Sequence, residues 1–114
     1  MTLLIVEDNA RMREMIKRVV SDLADEICEC DDGHEALALF SANRPDWVLM
    51  DIQMKNTNGL AATRQIIAEY GDAKIVILTN YDDAYFRQSA RESGALDYVL
   101  KENLLDIRRI LQKV

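Results

Sequence analysis

An open, doubly wound α/β sandwich, (βα)5 with five parallel strands, is predicted for this chain by three observations. Short apolar runs recur at similar intervals, and stretches with helical spacing separate them. Four of the five runs are near-continuous rather than alternating, which is how strands buried on both faces read. Strands that alternate with helices imply a parallel sheet joined by right-handed crossovers. A closed eight-stranded barrel would need about twice this length.

The elements follow in order. The first strand is Leu3–Val6, and Met12, Met15, Ile16, Val19, Val20 and Leu23 form the stripe of the first helix, capped by Asn9 or Asp8. The second strand, Ile27–Cys30, alternates and so belongs at or near a sheet edge. Its two cysteines, Cys28 and Cys30, share a face and are expected to be buried, unreactive thiols. Two cysteines without a secretion signal argue against a disulfide. Ala36, Leu37, Leu39 and Phe40 mark the second helix, and Trp47–Met50 the third strand. Leu60, Ala61, Ile66 and Ile67 mark the third helix, which Gly71 should stop. The fourth strand is Ile75–Leu78; a helix over 84–90 follows it, capped by Asp82 and stopped by Gly94. Tyr98–Leu100 is the fifth strand, and Leu104, Ile107, Ile110, Leu111 and Val114 form the last helical stripe.

The 114 residues suit one domain, and 49% of them are hydrophobic, enough for a core of useful size. A single Pro and no Gly/Ser-rich run leave no sign of a linker. The apolar runs fall far short of the roughly 18–20 residues of a membrane helix, and the first residues lack a secretion-signal layout. A soluble, cytoplasmic protein is expected. The net charge of −6 argues against nucleic-acid binding by this segment, because phosphate contact needs a basic surface.

The chemistry is written at the strand ends. The first strand ends in Glu7-Asp8, the third at Asp51, the fourth in Thr79-Asn80 and the fifth at Lys101. In a parallel sheet all of these lie at the carboxyl edge, where open α/β sheets place their ligands. Three adjacent carboxylates repel one another, and a divalent cation resolves that repulsion. An all-oxygen donor set suits Mg²⁺ or Mn²⁺, and with no Cys or His among the strand-end groups zinc is a poor candidate. Lys101 is a point charge suited to a phosphate, and Thr79 a hydroxyl donor. Asp51, alone on the central strand, is the best nucleophile toward phosphorus, and the product would be an aspartyl phosphate.

The stretches VEDN, MDIQMKNTNG, ILTNYDD and GALDYVLK together carry a resemblance. Over essentially its whole length, residues 1–114, the chain resembles the receiver domain of bacterial two-component response regulators. The resemblance implies a flavodoxin-like sheet of order 2-1-3-4-5. It implies Asp51 as phosphoacceptor, with Lys101 and Thr79 holding the phosphoryl oxygens. Asp8 and Asp51 would ligate the metal directly, Glu7 through water, and the backbone carbonyl of Gln53 would complete the protein's share. Tyr98 matches the aromatic that changes rotamer on activation, and Gly59 the glycine that ends the phosphoacceptor loop. Gln53 and Tyr81 would flank the phosphoryl group, Tyr81 slowing its hydrolysis. The donor would be a phosphohistidine on a sensor histidine kinase, or a small donor such as acetyl phosphate.

Two positions depart from the family pattern. The family commonly has Met-Pro where this chain has Met54-Lys55, and often Lys-Pro with a cis bond where it has Lys101-Glu102. A cis bond without Pro costs roughly 2.5–4 kcal/mol, so the second junction is either trans or strained. NarL/LuxR-type members with a helix-turn-helix output often lack that Pro. This points to a receiver cut from a longer transcriptional regulator, with DNA bound only by an output domain outside this chain. Phosphorylation would reshape the face made by the fourth helix, fifth strand and fifth helix. The last helix also suits a homodimer surface. The alternative is a stand-alone or degenerate receiver that binds protein partners without phosphorylation. A haloacid-dehalogenase-like phosphatase would want Asp-x-Asp where the chain has Asp51-Ile-Gln, and no G-x-G-x-x-G supports a dinucleotide site.

Overall fold

The computed structural model describes residues 1–54 and 56–112, so Lys55 and Val114 of the sequence reading lie outside the described residues. Strands and helices alternate: β1 (Thr2–Val6), α1 (Ala10–Val20), β2 (Glu26–Cys30), α2 (Gly33–Asn43), β3 (Trp47–Asp51), α3 (Gly59–Glu69), β4 (Ile75–Thr79), α4 (Ala84–Glu92), β5 (Asp97–Leu100) and α5 (Asp106–Leu111). The strands form one parallel sheet of order β2-β1-β3-β4-β5, as expected, and the alternating second strand is an edge.

Successive side chains of a strand point to opposite faces. Leu4, Val6, Val48, Met50, Ile75 and Ile77 pack with Ala36, Phe40, Leu60, Ile66 and Ala90 from α2, α3 and α4. Leu3, Ile5, Leu49, Val76 and Leu78 pack with Ile16, Val20, Ile107 and Ile110 from α1 and α5. Both faces are covered, so the central strands are apolar up to the polar residues at their carboxyl ends. Each fully buried Leu, Ile or Val contributes roughly 1.5–3 kcal/mol.

Of the two helix caps predicted, that of the first helix is as expected. Asn9 caps α1, accepting from Met12 N at 2.9 Å, and Asn58 caps α3, accepting from Leu60 N at 2.7 Å. The cap of α4 is Asp83, not Asp82: its extended backbone immediately precedes Ala84, and its Oδ1 accepts from Tyr85 N at 2.7 Å. Asp82 instead pairs with Arg87 at 3.1 Å. Gly94 follows the end of α4 with φ 102°, in the left-handed region that favours glycine. Gly71 follows the end of α3 without needing that region, whereas α2 ends on Arg44 at φ 45°. There the guanidinium stacks 4.2 Å from the Tyr70 ring centre, a contact no local signal announces.

The helical stripes shift in detail. Met15 is exposed rather than core-facing, and Leu23 lies beyond α1. On α3 the buried positions are Gly59, Leu60, Ala62, Thr63 and Ile66; Gly59, Ala62, Thr63 and Ile66 follow the i, i+3, i+4, i+7 spacing, and Ala61 and Ile67 are only half-buried. The last segment opens with a 3-10 turn at Lys101–Asn103, and α5 starts later than its apolar stripe suggests. Arg108 clamps α5 to α1, donating from Nη1 to Val19 O at 2.9 Å and from Nη1 and Nη2 to the Asp22 carboxylate at 2.5 and 3.0 Å. No described peptide bond is cis, so Lys101-Glu102 is trans. Cys28 and Cys30 are both free; Cys30 is buried as expected, and burial pushes its thiol up to about 11, whereas Cys28, on an edge strand, is only half-buried. No helix among the described residues is long and apolar enough to cross a membrane.

Thr63 is fully buried, and its Oγ1 has no hydrogen-bond partner among the described residues. A buried hydroxyl left unpaired costs about 1–3 kcal/mol. Thr63→Val keeps the shape and removes that cost. Urea unfolding should show a gain of about 1 kcal/mol, and a clear loss would mean that the hydroxyl is satisfied in solution.

Candidate functional site

Sheet register brings the strand ends together. Val6 pairs with Met50, which sets Glu7 beside Asp51. Asp51 pairs with Leu78, which carries Thr79 one step further along. Thr79 pairs with Leu100, so Lys101 emerges one step beyond that. A cleft of about 210 Å³ results, lined by Glu7, Asp8, Asn9, Asp51, Gln53, Thr79, Asn80, Tyr81 and Lys101. Every strand-end residue singled out from the sequence is in it.

The three polar groups at its floor are buried: Glu7 is 1% exposed, Thr79 2% and Asp51 4%. The Lys101 ammonium bridges the carboxylates, 2.7 Å from Glu7 Oε1 and 3.1 Å from Asp51 Oδ1. Glu7 Oε2 accepts from Asn9 N at 3.1 Å, whereas Oε1 faces the ammonium. Burial and the nearby Glu7 charge push Asp51 up to about 7, against the pull of Lys101. Burial works upward on Glu7 too, but Lys101 and the Asn9 amide outweigh it and hold Glu7 low. For Lys101, burial is outweighed by the two carboxylates, which raise it. Three carboxyl groups thus crowd around a single ammonium, leaving uncompensated negative charge at the cleft floor.

Glu7, Asp8 and Asp51 each offer a carboxylate oxygen, and these atoms lie within 4.8 Å of one another. With three carboxylates and only oxygen donors, the set fits a hard divalent cation. Thr79 Oγ1 accepts from Tyr81 N at 3.1 Å, which orients the hydroxyl while leaving its proton to donate.

The receiver-domain model of response regulators matches residues 3–114. The chain belongs to that family. Among curated relatives, this receiver domain is 34% identical over 102 residues to the transcriptional regulatory protein DegU of Brevibacillus brevis, covering 88% of this chain and 43% of that protein. The receiver domain spans about half, or less, of the length of the curated relatives it matches. A crystal structure of a LuxR-family two-component response regulator from Aurantimonas sp. SI85-9A1 superposes with TM-score 0.85 at 31% identity, covering 96% of this chain and 84% of that one. A response regulator from Burkholderia pseudomallei with a phosphorylated aspartic acid and a calcium ion superposes with TM-score 0.86 at 25% identity, covering 98% of this chain and 66% of that one.

Other residues of this receiver domain surround the cleft. Tyr98 sits one layer out: its hydroxyl donates to Tyr81 O at 2.6 Å, and the Arg87 guanidinium lies 4.7 Å from its ring centre. Tyr81 donates its own hydroxyl to Gln53 Oε1 at 3.0 Å, joining the two residues expected to flank the mouth. Sequence reasoning missed Arg13. Its Nη1 donates to Glu7 O at 2.7 Å and its Nε to Glu29 Oε1 at 3.2 Å, while Lys17 reaches Glu29 Oε2 at 2.8 Å. Glu29 therefore holds the basic face of α1 and, through Arg13, the turn that bears the acidic pair. The signal was present as two basic residues one turn apart on α1 and a lone acid between the cysteines.

Proposed function

We propose that this receiver domain accepts a phosphoryl group on Asp51 from a sensor histidine kinase and passes the change to a DNA-binding output in a longer regulator. The observation that carries this is the Lys101 ammonium held 2.7 and 3.1 Å from Glu7 and Asp51 in a cleft shared with Asp8 and Thr79. The phosphorylated aspartate in the Burkholderia relative and the transcriptional role in DegU's name support the same reading.

In this reading an Asp51 carboxylate oxygen forms a bond to phosphorus while the bond to the donor's leaving group breaks, the electron pair departing with that group. Lys101 shifts from bridging carboxylates to neutralising a phosphoryl oxygen, and Thr79 donates its hydroxyl to another. Asp8, Asp51 and the Gln53 carbonyl would hold Mg²⁺ or Mn²⁺, with Glu7 acting through water; the bound cation supplies charge against the phosphoryl oxygens. Water later attacks phosphorus, releasing inorganic phosphate and restoring the carboxylate. As Thr79 turns to the phosphoryl group, the hydrogen bond it accepts from Tyr81 N changes, and Tyr98, bound to Tyr81 O, feels the same segment. The α4–β5–α5 face thus has two states that phosphate biases. The protein would work in the cytoplasm, and a homodimer would draw on Leu105, exposed just before α5.

Incubation with acetyl phosphate and Mg²⁺ should add the mass of one phosphoryl group to the wild type and none to Asp51→Asn. An adduct on the variant, or none on the wild type, would overturn the assignment. Tyr81→Ala opens the bridge to Gln53 and should shorten the acyl-phosphate lifetime by roughly two- to fivefold, the scale of one modest hydrogen bond. Phosphate release after donor removal measures it, and an unchanged lifetime would mean that the ring does not screen water.

A further inference from the structure

We propose that Asp32 is a positioning residue for the cleft, tying the loop between β3 and α3 to the start of α2. The inference rests on the phosphoacceptor reading for its purpose but not for its geometry. The loop leaves Asp51 and returns at Gly59. Two contacts close it on itself: Gly59 N donates to Ile52 O at 2.7 Å, and Gln53 bridges to Asn58. Neither anchors it to another element.

Ile52 and Met54 pack against the core, and Asp32 adds a polar anchor. Its Oδ1 accepts from Thr57 Oγ1 at 2.7 Å and its Oδ2 from Asn56 Nδ2 at 3.3 Å. The same Oδ1 caps α2, accepting from His34 N at 2.9 Å. The carboxylate is therefore fixed by a helix before it reaches the loop. Gly33 permits the approach, since a Cβ there would lie 2.8 Å from Thr57 Cγ2. On the opposite flank Tyr81 holds the Gln53 side chain. The loop that carries the Gln53 carbonyl is thus gripped from the cap of α2 on one side and from the segment after β4 on the other. The His34 amide and Thr57 hydroxyl hold the Asp32 carboxyl below its usual range, so the grip persists across the neutral range.

Thr57→Val removes the shorter of the two loop contacts to Asp32, leaving the 3.3 Å one from Asn56, and spares the α2 cap and the packing of the Thr57 methyl group. In the metal-free variant, amide hydrogen exchange at residues 56–58 should rise roughly tenfold while α2 amides stay protected. Titration with Mg²⁺ should show affinity weakened roughly three- to tenfold, and Thr57→Ser should restore both. Unchanged loop exchange, or exchange rising equally through α2, would overturn the proposal. So would faster loop exchange with undiminished Mg²⁺ affinity. A wild type that binds no Mg²⁺ while its variant still shows the exchange change would overturn the phosphoacceptor reading and leave the grip established.

Discussion

Gly59→Ala is expected to cost about 3 kcal/mol or more and to lower Tm by roughly 10 °C or more. An ideal Cβ on Gly59 would sit 1.8 Å from the Asp51 carbonyl oxygen, 2.8 Å from its carbon and 3.1 Å from Ile52 Cα. All three are backbone atoms, so no rotamer change relieves the clash. The N-terminus of α3 would have to move off the sheet, breaking the 2.7 Å bond from Gly59 N to Ile52 O. Gly59 is also buried, with Leu60 and Ala62 of the same turn packed into the core. Because the displaced atoms belong to Asp51 itself, acetyl-phosphate labelling should fall along with stability. Urea unfolding read by circular dichroism decides the point, and a wild-type midpoint would show that the segment has room to relax.

Asp51→Asn should make the metal-free protein more stable as well as unable to accept a phosphoryl group. Asp51 is raised from its ordinary 3.8 to about 7 by burial and by Glu7. A raised carboxyl contributes stability that is complete below about pH 4 and is lost as pH climbs through about 7. At pH 8 the wild type therefore holds two buried carboxylates against one ammonium. The neutral amide avoids this, and the gain should be of the order of 3–4 kcal/mol at pH 8, shrinking toward nothing near pH 4. Mg²⁺ should stabilise the wild type and leave the variant nearly unchanged, since ligand binding to the folded state adds stability by mass action. Thermal unfolding at pH 4, 6 and 8, with and without Mg²⁺, measures all of this. A variant less stable than the wild type at pH 8 would mean that Lys101 outweighs the Glu7 repulsion.

The sheet was legible because its strands are buried on both faces. That makes Leu3–Val6 or Ile75–Leu78 read as unbroken apolar runs, and the polar residue that ends each run marks the carboxyl edge. Parallel pairing then forces Glu7, Asp51, Thr79 and Lys101 together whatever the loops do. The cap of α4 was misplaced by one residue because Asp82 and Asp83 offer the same side chain, and only the backbone selects between them. The left-handed end of α2 at Arg44 escaped notice because its support is Tyr70, from a different helix.

Residue order alone was enough to specify the five strands, their covering helices and the chemical identity of the cleft, since periodicity and the polar residue ending each strand are local properties. What the folded chain alone decided is how those groups are poised: Lys101 bridging two acids, Asp51 driven to near 7, Arg13 braced on Glu29 and Asp32 gripping Thr57. Desolvation and contacts between residues from different elements exist only once the layers close, and no reading along the chain contains them.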